Sequence, residues 1–157
     1  MDIHFDAVHE RLSRWSQRAS FVPLFVCRVT LGWEFIVSGW LKIHKLGELT
    51  AYFAQLQIPW PTFQAPLVAW TELVCGTLLL VGLASRFAVI PLFVSMTIAL
   101  LTAKRGDIHG LSDLFFQVEF TYLCMFLVVL ILGPGKPSID ALIARAYAKK
   151  RTTSTPS

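Results

Sequence analysis

Residues 65–84 read APLVAWTELVCGTLLLVGLA, and only one of these residues, Glu72, carries a charge. A helix rises about 1.5 Å per residue, so the stretch is about 30 Å long, the thickness of bilayer hydrocarbon. The rest of the 157-residue chain has the same character. Hydrophobic residues make up 55% and charged residues 15%, with a mean hydropathy of +0.60. Soluble domains carry about 25% charged residues. A chain this short cannot hide so much apolar surface from water. A pI near 9.2 and a net charge of +4 would suit a nucleic-acid binder. The hydropathy argues against that, and against a disordered or soluble chain. The solvent it fits is a bilayer.

Three further runs match the first. They are residues 21–41, 87–103 and 115–132, so the predicted fold is all-α, a four-transmembrane-helix bundle. Pro66 falls in the first turn of its span, where a missing N–H is harmless. Residues 21–41 are not a signal peptide. They carry Arg28 and Glu34, follow a polar segment at residues 1–20, and lack an A-x-A cleavage pattern.

Lys and Arg placement sets the expected orientation. Arg11, Arg14, Arg18, Arg86, Lys136, Arg145, Lys149, Lys150 and Arg151 lie on one side. Lys42, Lys45, Lys104 and Arg105 lie on the other. Both termini therefore face the cytoplasm of an inner-membrane, multi-pass protein, and Trp40, Trp60 and Trp70 form a belt at the outer interface. An amphipathic segment at residues 46–56 is expected to lie flat on the outer surface. Beyond Gly133-Pro134-Gly135, Ser138 can cap an interfacial helix bearing Ile139, Leu142, Ile143 and Tyr147. The expected organisation is a cytoplasmic segment at 1–20, the transmembrane domain at 21–135, a cytoplasmic amphipathic helix at 136–151 and a disordered tail at 152–157.

Ionisable groups inside a span cost about 2.5–3.5 kcal/mol each and usually face the bundle interior. Here they are Arg28, Glu34, Glu72 and Glu119. Arg28, Gly32, Phe35, Gly39 and Lys42 repeat at intervals of four and three, on one helix face. Glu72, Cys75, Gly76 and Leu79 share a face, as do Glu119, Tyr122, Leu123 and Phe126. Glu34 lies about 100° from Phe35, at the edge of the stripe or against another subunit. Packing these faces together makes Glu72, Arg28 and Glu119 candidate catalytic groups. Lys42, Phe35, Tyr122, Phe126 and Glu34 are then candidate ligand-binding residues. By axial rise, Glu34 and Glu72 lie at similar depth, Arg28 sits deeper, and Lys42 is at the right level to reach inward.

The order and spacing of these residues resemble the DoxX family over residues 24–142. The resemblance rests on Arg28-x-x-Leu31-Gly32, Phe35, Gly39 and Lys42, then Ile58-Pro59-x-Pro61, Ala69, Glu72 and Gly76. It continues through Leu79-Leu80-x-Gly82-Leu83-x-x-Arg86, Met96, Ala99 and Gly133-Pro134-Gly135-x-x-Ser138-x-Asp140. The resemblance implies a four-helix bundle in the cytoplasmic membrane. It also implies roles as varied as quinone-reducing oxidation of sulfur compounds, oxidant-defence complexes and operons for metal-binding peptides. Arg28, Lys42, Glu72 and Arg86 match the family's polar positions. The thiosulfate-oxidising relatives work with a second subunit.

Three function classes follow. In the first, the chain is a redox-associated subunit that binds quinone between spans one, two and four. Arg28 or Lys42 polarises a carbonyl oxygen, and Glu72 or Glu119 moves its proton. In the second it is a non-catalytic anchor or assembly partner of an oxidoreductase or metal-handling complex, paired with a second redox subunit or with itself. The third, a transporter, is disfavoured by the lack of a pair of interrupted spans. Whether the chain is an enzyme stays open. No metal is expected, because His4, His9, His44 and His109 lack zinc-helix spacing. Cys27, Cys75 and Cys124 lie in spans without a Cys-x-x-Cys pair and read as small apolar residues.

Overall fold

The computed structural model describes residues 21–104, 106, 110–133 and 138–139. Among them every regular element is helical and none is a strand. The helices are α1 (Phe21–His44), α2 (Leu46–Gln55), α3 (Pro61–Val81), α4 (Ser85–Thr102), α5 (Leu111–Phe116) and α6 (Val118–Leu132). Of these, α1, α3 and α4 are long and apolar enough to cross a membrane, and α6 is a shorter apolar helix. The expected cytoplasmic segment at 1–20, most of the C-terminal helix and the tail lie outside the described residues.

Two boundaries differ from the sequence reading. The helix expected over residues 65–84 runs instead over Pro61–Val81, with Pro61 in its first turn and Pro66 inside. Pro61 suits that place because its missing N–H would be unsatisfied there anyway. The run at 115–132 is not one helix. It breaks at Gln117, which adopts φ −76° and ψ 127° between α5 and α6. Neither Gly nor Pro marks this break. Across it, Phe115 and Phe120 form an edge-to-face pair with centroids 5.2 Å apart.

The α1–α3 pair is closely packed. A Cβ on Gly39 would lie 2.5 Å from the Leu73 nitrogen, and one on Gly76 would lie 2.9 Å from the Ile36 nitrogen. Small residues let the two backbones meet directly, the usual way helices pack where lipid replaces water. At the far end, α3 stops at Gly82, which takes φ +73°. The Leu83 N–H then donates to the Leu78 carbonyl at 3.0 Å, closing a Schellman turn. Leu31, Phe35 and Leu79 pack with Val89, Leu92 and Met96 of α4 and Phe126 and Val129 of α6 to form the core. Large apolar residues such as Trp33, Leu67, Ile90 and Ile131 point outward, as lipid-facing residues should.

Candidate functional site

The site grows out of the glycine contact. Gly39 brings α1 against the Ala69 carbonyl and the Leu73 nitrogen, residues that flank Glu72 along α3. Ser38 and Lys42, four residues apart, stand on the same side of α1. Both reach the Glu72 carboxylate. The Ser38 hydroxyl donates to Oε2 at 2.9 Å, and Lys42 Nζ donates to Oε1 at 2.5 Å. Glu72 is fully buried, while the Lys42 side chain keeps 29% of its surface accessible. Each carboxylate oxygen thus has a donor, which a charge removed from water requires. The ammonium has three N–H groups and gives one to Glu72, so it can still donate on its accessible side.

That accessible side faces a cavity of about 430 Å³. Its polar lining holds Lys42, Glu72 and Ser38, with Glu34, Glu119 and Tyr122 alongside, and Gln64, Ser95, Thr102 and Lys104 from other elements. Leu49, Tyr52 and Phe53 of α2, with Leu56 just beyond it, line it at one end. Phe35 and Met96 lie at its base. The α2 segment therefore does more than lie flat on a surface, because its apolar side turns into the cavity. The volume falls within the roughly 300–1,000 Å³ typical of small-molecule sites.

The candidate residues divide into two groups. Glu72, Lys42, Glu34, Glu119, Phe35 and Tyr122 all line the cavity. Arg28 and Phe126 do not. Phe126 is fully buried behind Phe35, with ring centroids 5.3 Å apart. Arg28 lies at the opposite end of α1, with its guanidinium carbon 5.4 Å from the centre of the Phe25 ring. A Cβ on Gly82 would come within 2.6 Å of its Nη1, and one on the same residue would sit 2.8 Å from the Ser138 Cβ. Nearby, Arg86 Nη2 donates to the Ile131 carbonyl at 3.3 Å. Arg28 of α1 thus sits against the α3–α4 turn, and Arg86 of α4 bonds the end of α6. Glu119 has a structural reason for its place as well: it sits in the first turn of α6, where the helix dipole favours an acid.

The DoxX family profile matches residues 23–105. The chain belongs to the DoxX family. The matched span contains Arg28, Ser38, Lys42 and Glu72, so the ion pair lies within the part that defines membership. Uncharacterized membrane protein Rv3486 of Mycobacterium tuberculosis is 32% identical over 135 residues, covering 78% of this chain and 83% of its own. Inner membrane protein YqjF of Escherichia coli K12 is 30% identical over 129 residues, covering 80% and 95%. An uncharacterized Haemophilus influenzae protein is 28% identical over 139 residues, covering 83% and 89%. No solved structure matches. With its three long apolar helices, the chain is a multi-pass membrane protein of this family.

Sequence reasoning missed Ser38 and the cavity-lining role of α2. Ser38 lies four residues before Lys42, a spacing that places it on the same face. The described cysteines are free: Cys27 Sγ lies 3.9 Å from the Met125 carbonyl, and Cys124 is exposed. His44 is also exposed and sits against Trp40, with its Nδ1 2.9 Å from the Trp40 carbonyl. His109 and Asp107 lie outside the described residues.

Proposed function

We propose that this DoxX protein is a redox-associated subunit of a bacterial inner membrane. In this reading α6, with α5, completes a fourth crossing, and both termini face the cytoplasm. The cavity binds the head group of a quinone. The carrying observation is a fully buried carboxylate, held by Lys42 and Ser38, on the wall of an otherwise mainly apolar cavity. Lys42 is the donor to a quinone oxygen, and Phe35 and Tyr122 flank the ring. Glu34 or Glu119, in its neutral form, passes a proton to that oxygen, while the Glu72 carboxylate, which accepts from Lys42 and Ser38, holds the ammonium against it. The quinone accepts two electrons and two protons, the electrons coming from a reduced donor on a partner subunit. Arg28 ties the helices together and takes no part in binding.

The test is quinone titration of the purified protein in lipid nanodiscs, following tryptophan fluorescence. The wild type should bind a long-chain ubiquinone saturably. The Lys42→Met/Glu72→Gln double variant should bind at least tenfold more weakly while remaining folded, because both members of the buried pair are neutralised together. Absence of saturable binding by the wild type overturns the reading. A co-purifying partner without such binding would point to the anchor role instead.

A further inference from the structure

Glu34 lines the cavity and is also exposed on the surface of α1. The cavity therefore reaches the molecular surface beside this residue. Its neighbours there are Trp33, 62% exposed, and Val37, 38% exposed, both apolar and outward-facing. Glu34 lies ten residues before His44, the last residue of α1, or about 15 Å along the axis. An opening at that level lies inside the hydrocarbon, well away from the aqueous boundary.

The surroundings explain why the opening falls at this place. Contacts between α1 and α6 run from Cys27 with Met125 up to Phe35 with Phe126 and Tyr122, and the Tyr122 hydroxyl also donates to the Glu34 carboxylate. From Glu34 onward the α1 side chains Glu34, Ser38 and Lys42 turn to the cavity. On the facing side α6 extends only to Val118 before the chain breaks at Gln117. At the α2 end, Leu49, Tyr52 and Phe53 offer apolar surface to anything arriving from water.

We propose that the cavity is loaded from the membrane through this flank, so that its ligand is a long-chain amphiphile. The polar head seats against Lys42 and the tail stays in lipid beside Trp33 and Val37. This deepens the quinone reading and rests on it for the identity of the head group. The entry route itself does not depend on which head group binds.

The experiment separates the two. In a chain with Cys27, Cys75 and Cys124 replaced by alanine, a nitroxide label is placed at Glu34→Cys, at Val37→Cys or at Lys45→Cys. Each protein is reconstituted in liposomes, and collisions are measured with oxygen, which concentrates in lipid, and with a water-soluble nickel chelate. Position 34 should resemble position 37, with oxygen collisions at least threefold above those of the chelate, and position 45 should show the reverse. Chelate-dominated collisions at 34 overturn the proposal whether or not quinone binds. A second measurement uses the unmodified chain in nanodiscs. A long-chain ubiquinone should bind at least tenfold tighter, per quinone in the membrane, than its tailless analogue 2,3-dimethoxy-5-methylbenzoquinone. Equal affinity would also overturn it. If neither quinone binds while position 34 remains lipid-accessible, the lateral route stands and the quinone identity fails.

Discussion

Arg28 and Lys42 lie on one stripe of α1, about 21 Å apart along its axis, in opposite surroundings. At the Arg28 end, Gly82 and Phe25 lie against the guanidinium of a residue that is only 2% exposed. Space is filled there. At the Lys42 end the ammonium is partly accessible and bonded to a fully buried carboxylate beside a cavity. The rigid guanidinium suits a tie with several fixed contacts, and the flexible ammonium suits a group that must donate to a changing partner. Burial of a charge thus does not by itself distinguish a fastening from a site. The space left next to it does.

The largest way to break this contrast is Glu72→Ala. It leaves Lys42 without its buried partner and should cost about 3–5 kcal/mol of stability, read by thermal unfolding in detergent. Replacing both residues with apolar ones, Lys42→Met/Glu72→Leu, should recover most of that loss. If the double variant is no more stable than the single, the pair is not the unit that matters. A smaller effect should separate the ends. Arg28→Met should destabilise by about 1–3 kcal/mol but leave quinone affinity within a factor of two, because Arg28 lies outside the cavity. A tenfold loss of affinity in a folded Arg28→Met protein would show that the two ends act together. The smallest effect concerns the turn beside Gly82. Ala84 adopts φ +49°, a left-handed conformation that a Cβ disfavours. Ala84→Gly should therefore raise stability by about 0.5–1 kcal/mol, without changing binding.

Much of this was legible because lipid demands long apolar runs. The runs around residues 21–41, 65–84 and 87–103 each gave a helix, and the stripes through Phe35 and Gly76 gave the buried faces correctly. That Lys42 could reach inward followed from axial rise alone. The break at Gln117 did not, because nothing in Phe116-Gln117-Val118 forbids a helix. Placing Arg28 in the site failed for a geometric reason. A stripe fixes direction around the axis but spreads its members along it, and only those level with Glu72 can meet it. The inward turn of α2 was hidden because an apolar stripe reads alike whether it faces lipid or a cavity.

The ion pair joins α1 to α3, the first two long apolar helices of the described chain. That has a consequence for biogenesis. Both partners are synthesised before α4 begins, and Gly39 and Gly76 let their helices close on each other without help from later segments. The hairpin can therefore enter the bilayer with its ammonium and carboxylate already neutralising one another, sparing the translocation machinery two isolated charges.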